Sequence, residues 1–159
     1  MAELELRPAQ LTDHAGIAHM HRLSRADYYG VPVGPDDRDA MWRHLLGEAE
    51  RVTWVAEART ELVGFLSARH PSGPSGDVKL TALYVLPAQF GRGIGSSLHD
   101  LFAAQLAPGR TGILEVWAGN ARAIGFYERR GWRPTTETRD GPQGIDFVTY
   151  RLPPRAEGG

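Results

Sequence analysis

Residues 83–98 read Leu-Tyr-Val-Leu-Pro-Ala-Gln-Phe-Gly-Arg-Gly-Ile-Gly-Ser-Ser-Leu. An apolar strand runs into a proline, a loop with glycine at alternate positions follows, and a helix begins at once. Ile94, Leu98, Leu101, Phe102 and Gln105 fall at offsets of three and four, so the spacing predicts a helix that starts where the loop ends. The first turn of a helix leaves backbone N–H groups without partners and carries about half a positive charge. Gly91, Gly93 and Gly95 remove the side chains that would keep an anion off those amides. The segment suits a phosphate or pyrophosphate held by backbone alone. A P-loop would close the run with Gly-Lys-Ser/Thr, whereas Gly95 is followed by Ser96-Ser97. A dinucleotide fingerprint would need a third glycine at position 96, which is serine.

A second motif follows at residues 114–132, Leu-Glu-Val-Trp-Ala-Gly-Asn-Ala-Arg-Ala-Ile-Gly-Phe-Tyr-Glu-Arg-Arg-Gly-Trp. A strand ends near Trp117. Asn120 is a good N-cap, and the helix it opens closes with Gly131 in the C′ position.

Taken together, the two motifs resemble the GCN5-related N-acetyltransferase (GNAT) superfamily. That family's central motif is a strand, then Gln/Arg-x-x-Gly-x-Gly/Ala, then a helix. Its next motif is a strand, an Asn, and a helix carrying Phe-Tyr and ending in Gly-Phe or Gly-Trp. Both occur here in that order, and a fainter resemblance extends over residues 3–151. One position departs from the pattern. The motif usually begins with Gln or Arg, where this chain has Phe90, and Gln89 lies one residue early and is expected to point elsewhere.

Length and composition set the frame. The 159 residues suit one domain with a full core, here expected over 1–152, with a disordered tail at 153–159. Hydrophobic residues are 42% and charged residues 23%, ordinary for a soluble globular protein. Net charge is −1, with 18 Lys+Arg against 19 Asp+Glu and no basic stripe, so nucleic acid is not an expected partner. Without cysteine there is neither a disulfide nor a thiol nucleophile. No apolar run approaches a membrane span, and the acidic N-terminus lacks a signal-peptide core, which makes a cytoplasmic location the expectation.

Outward from the motifs, the pattern predicts a strand over 4–7 and a helix from Thr12-Asp13 to about Asp27. A loop over 28–35 precedes a second helix capped by Asp36 or Asp37 with Trp42, Leu45 and Leu46 on one stripe. Strands are expected at 52–57, 62–69, 77–86 and 113–117. A loop is expected over 70–76, and a closing hairpin at 132–138 and 145–152. The order indicates an α/β fold with a mixed sheet. The resemblance implies the same single-domain GNAT-like fold, its central strands splayed apart and flanked by helices.

The resemblance also implies a chemistry, transfer of an acetyl group from acetyl-CoA to a primary amine with no metal. Acyl-CoA would lie in the splay, its pantetheine pairing with the backbone of Leu83 and Val85 as an added strand. Its pyrophosphate would sit on Gly91, Arg92, Gly93, Gly95 and Ser96. Arg92 would add a cation or remain a solvated loop arginine. Asn120 is a helix cap and, by resemblance, also a pantetheine contact. Tyr127 matches the tyrosine that protonates the leaving thiolate.

Many family members place a glutamate base where this chain has Lys79, which cannot serve while protonated. The remaining candidates are Glu115, beside the cleft, then Asp77, Glu57 and His70, or a water relay. Tyr28, Tyr29, Trp42 and Trp117 are candidate walls for the acceptor, with Trp42 favoured as core. The acceptor is a small-molecule or peptide amine, and a homodimer is left open. The alternative is a non-catalytic acyl-CoA-binding or regulatory domain.

Overall fold

The computed structural model describes residues 4–32, 36–71, 76–106 and 109–154. Most of the expected tail, 155–159, and parts of the 28–35 and 70–76 loops lie outside them. The elements are β1 (Leu4–Pro8), α1 (His14–Tyr29), α2 (Arg38–Leu45), β2 (Arg51–Ala58), β3 (Glu61–Arg69), β4 (Val78–Val85), α3 (Ile94–Ala104), β5 (Gly112–Trp117), α4 (Ala121–Arg129), β6 (Arg133–Arg139) and β7 (Phe147–Leu152). Every expected element is present. The helix α1 runs two residues further than its periodicity indicates and stops at Gly30, which takes the left-handed conformation at φ 68. Asp37 occupies the N-cap position of α2 without a side-chain cap bond, while the Asp36 carboxylate accepts from the Arg38 amide at 3.0 Å.

One seven-stranded sheet runs in the order β1-β2-β3-β4-β5-β7-β6. Its neighbours are antiparallel except β4 and β5, which run parallel. That parallel pairing covers only Val78↔Gly112 and Lys79↔Ile113. Beyond it the two strands separate. On their outer sides β4 stays paired to β3 as far as Val85, and β5 stays paired to β7 as far as Trp117. The gap therefore has two firm walls.

A bulge sets the direction of the β4 side chains. Ser67 pairs with Ala82 and Ala68 with Leu80, leaving Thr81 as the extra residue, its hydroxyl donating to the Ser67 carbonyl at 3.0 Å. The bulge keeps Leu80, Leu83 and Val85 on one face, where they pack with α3 residues Leu98 and Phe102, and sends Tyr84 to the other. That second face is covered by α1 and α2 through Ile17, Met20 and Trp42. Trp42 is core, 2% exposed, with its indole donating to His21. No helix among the described residues is long and apolar enough to cross a membrane.

The helix α4 ends in a reciprocal cap. The Gly131 amide donates to Glu128 and the Trp132 amide to the Tyr127 carbonyl, with Gly131 at φ 95. This turn drives Trp132 out of the expected hairpin strand and into the core, where it is fully buried, stacks on Phe102 at 5.8 Å and donates its indole N–H to His99 Nε2 at 2.9 Å.

Burial, with nearby arginines, pushes His99 and His21 down to about 4. In the unfolded chain a histidine titrates near pH 6.5. As pH falls from about 6.5 towards 4, the unfolded chain takes up protons that the folded chain refuses, so stability is lost over that window. Melting temperature should decline between pH 7 and 4.5, and His99→Gln should flatten part of that slope. A slope unchanged in the variant would remove His99 as its source.

Candidate active site

The loop before α3 is shaped by two left-handed glycines, Gly91 at φ 84 and Gly93 at φ 79. A Cβ built on either would meet nothing within 4 Å, so both face open space. Gly95 is tighter, its absent Cβ lying 3.3 Å from the Phe126 ring. The first intrahelical bond runs from the Ser97 amide to the Gly93 carbonyl. The amides of Ile94, Gly95 and Ser96 precede it, in the first turn, where no helix carbonyl can receive them.

These amides open onto a cleft of about 380 Å³ that also takes in Leu83 and Val85 of β4 and Tyr127 of α4. The β4 backbone presents a free edge there. Leu86 N–H donates to Val63 and the Tyr84 carbonyl faces Gly64, so both point at β3. Strand alternation turns the N–H and C=O of Val85 and Leu83 the other way, into the gap where β5 has left.

Six expected site residues therefore share one cleft with Tyr127: Leu83, Val85, Gly91, Gly93, Gly95 and Ser96. Tyr127 makes no side-chain hydrogen bond among the described residues. Burial first, and then neighbouring Tyr28, push its hydroxyl well above the ordinary tyrosine range, so it holds its proton.

Three expected residues lie outside the lining. Arg92 is exposed between the two left-handed glycines. Asn120 Oδ1 accepts from the Ala123 amide at 3.1 Å, which gives it the capping role. Glu115 alternates with Leu114 and Val116, which pack into the α3 face, and so it projects from the opposite side of the sheet. There Lys79 Nζ donates to it at 2.9 Å and Arg139 Nε at 2.6 Å. Burial alone would raise its pKa, but these hydrogen bonds prevail and hold it below the usual carboxylate value. A carboxylate so held is a weak base.

The other base candidates are tied elsewhere. Asp77 pairs with Arg151, Glu57 with Arg7, and His70 bonds Gln105. The lining holds no carboxylate and no imidazole among the described residues.

Sequence reasoning missed the cations that line the cleft. Arg122, Arg129 and Arg130 line it, and none makes an ion pair among the described residues. Arg130 donates to the Ser96 hydroxyl and to the Phe126 carbonyl, with its guanidinium 3.6 Å from the Phe126 ring centre. Arg122 lies 3.6 Å over the Phe90 ring. Nothing in the Arg-rich helix end signals this, because the meeting of α4 with the start of α3 is tertiary. Gln89, expected to point away, lines the cleft with Phe90, because Pro87–Gln89 forms a single 3₁₀ turn. Tyr28, expected as an acceptor wall, lines this cleft too, while Tyr29 turns to a second cavity. Trp117 is buried, its indole donating to Ile145.

Sequence comparison matches the acetyltransferase (GNAT) family over residues 17–132. The fold is similar to that of an acetyltransferase from Thermus thermophilus, 24% identical, with TM-score 0.76 over 94% of this chain and 96% of that one. It is also similar to the ribosomal-protein-S18-alanine N-acetyltransferase of Escherichia coli, 19% identical, with TM-score 0.75 over 98% and 97%. The PaiA N-acetyltransferase of Thermoplasma acidophilum, solved with coenzyme A, is 17% identical, with TM-score 0.66 over 95% and 99%. The chain belongs to the GNAT acetyltransferase family and is an acyl-CoA-dependent acetyltransferase.

The geometry makes two variants informative. Gly93→Val forces a β-branched residue to φ 79, at a cost of roughly 1–3 kcal/mol in stability, and fills the open space. Coenzyme A binding should be lost by calorimetry while circular dichroism still reports the fold. Arg130→Gln removes a cation but no backbone donor. It should weaken coenzyme A about tenfold or more, from a charge-assisted contact worth roughly 1.5–3 kcal/mol, and leave pantetheine, which lacks the phosphates, unaffected. Equal losses for both ligands would place Arg130 outside phosphate recognition.

Proposed function

We propose that this protein acetylates a primary amine of a small molecule or peptide, using acetyl-CoA and direct attack without a covalent enzyme intermediate. The observation that supports it most is the meeting of three features in one cleft: an open glycine loop at a helix start, a free β4 edge, and a proton-holding tyrosine. When bound, acetyl-CoA supplies an activated thioester.

The cleft's features fit that ligand. The amides of Gly91, Gly93, Gly95 and Ser96 and the unpaired Arg122, Arg129 and Arg130 suit its phosphates. The free edge at Leu83 and Val85 suits the amides of its pantetheine arm. Arg92, from its exposed position, adds long-range attraction for the anion rather than a contact. Asn120 acts through the helix it caps, fixing the axis that carries Tyr127.

In the reaction the amine nitrogen bonds the acyl carbon and the carbon–sulfur bond breaks. The amine loses a proton and the sulfur gains one. Tyr127 supplies that second proton, or the hydrogen bond that precedes its transfer. A positioned acid contributes roughly 10²- to 10⁴-fold. Glu115, clamped by two cations, serves best to hold β4, β5 and β6 together below the gap. The ammonium form sheds one proton to water before attack, and the attacking nitrogen then releases its second to solvent, which returns a proton to Tyr127, since the cleft lining offers neither carboxylate nor imidazole among the described residues.

Two outcomes follow. Tyr127→Phe should lower kcat by up to roughly 10²- to 10⁴-fold with little change in coenzyme A affinity, measured by thiol release where chemistry limits the rate. Wild-type turnover would return Tyr127 to a packing role. Separately, kcat/KM should climb with pH towards the acceptor's own pKa, because an aliphatic amine near 10.4 is neutral only about one time in a thousand near pH 7.5. Glu115→Gln should leave that profile in place. Loss of its acidic limb with a drop of more than about tenfold, or 1.4 kcal/mol, would make Glu115 the base.

A further inference from the structure

The last turn of α1 divides two cavities. Tyr28 lines the cofactor cleft and contacts Tyr84, while Tyr29, its ring 6.4 Å away, lines a second cavity, also about 380 Å³. That volume matches a small metabolite. Its walls include Tyr29 and Phe147, edge to face at 6.1 Å, and two arginines, Arg25 and Arg139.

The charges of this cavity are unlike those of a polyamine site. Arg25 makes no hydrogen bond or ion pair from its guanidinium among the described residues, resting 5.4 Å over the Tyr29 ring. Arg139 gives only Nε to Glu115 and lies 4.4 Å over Phe147, so its terminal nitrogens keep a free edge. Against these two guanidinium groups the lining holds one carboxylate among the described residues, Asp140. Of the nearby acids, Glu115 is engaged by Lys79 and Arg139, and Asp27 accepts from the Tyr84 hydroxyl. A guanidinium fork matches a planar carboxylate or a phosphate, and an aromatic face behind it fixes its plane.

We infer that the acceptor is an amine that also carries an oxyanion, a carboxylate or a phosphate ester, held by Arg25 and Arg139. Its amine is directed past Tyr28 and Tyr29 towards the cofactor cleft. This inference rests on the acetyltransferase reading and narrows its substrate class.

The test uses acetylated products, so that it does not depend on turnover. N-acetylphenylalanine, N-acetyl-O-phosphoethanolamine and N-acetylphenethylamine, the last without an oxyanion, are titrated calorimetrically into the protein saturated with coenzyme A. At least one oxyanion compound should bind about tenfold or more tighter than N-acetylphenethylamine, and which one it is separates carboxylate from phosphate. Arg25→Gln should erase that preference, and Arg25→Lys should restore part of it, with coenzyme A affinity unchanged in both. Equal or tighter binding of N-acetylphenethylamine overturns the inference. So does a preference that survives Arg25→Gln, or no binding by any of the three up to 10 mM, a ceiling of roughly −2.7 kcal/mol. Failure of coenzyme A itself to bind would instead count against the acetyltransferase reading.

Discussion

Two residue pairs hold β4 to β5, and the rest of the molecule is arranged around the fact that there are no more. A parallel ladder carried further would satisfy the backbone of Leu83 and Val85 and leave no cleft. Because the strands part after Lys79, an edge that would ordinarily invite aggregation is kept inside the fold, flanked by helices and open only to a ligand. The Lys79–Glu115 ion pair lies across the parallel strands near the last paired residues. Glu115 also takes Arg139 from β6, so one carboxylate ties three strands together where the backbone ladder stops.

The two working walls of the cleft come from different helices, and an aromatic cluster fixes their relation. Trp132, delivered by the cap of α4, stacks on Phe102 of α3 and bonds His99 of the same helix. The His99 ring in turn meets Phe126 edge-on at 6.1 Å. The start of α3, which bears the glycine loop, and the segment of α4 bearing Tyr127 are thus held by one buried group. Burial of this size stabilises by a few kcal/mol per aromatic, so the cleft's shape is part of the core rather than a surface feature.

Charge is sorted by location. On the cofactor side Arg122, Arg129 and Arg130 line the cleft with no counter-ion among the described residues, which leaves their charge available to an arriving anion. On the opposite face Glu115 takes Lys79 and the Nε of Arg139, and Arg7 is paired with Asp13 and Glu57. A net charge of −1 conceals this division entirely.

The local elements were legible in the sequence because they rest on local rules. Periodicity marked α3, Asn120 and Gly131 bounded α4, and glycines at alternate positions marked the loop. Those same rules marked Gly91, Gly93 and Gly95, while Leu83, Val85, Ser96 and Tyr127 were singled out by the family resemblance, and the fold brings all seven to one cleft. Chain order does not carry what depends on two distant segments meeting. It gave no sign that Arg130 would reach Ser96, that Thr81 would bulge and hold Leu83 on the α3 face, or that Glu115 would be claimed by Lys79 and Arg139. Each of those is set where segments distant in the chain meet: α4 against the start of α3, β3 against β4, and side chains of β4 and β6 against β5. One segment's sequence cannot specify such a contact, because the contact belongs to the pair.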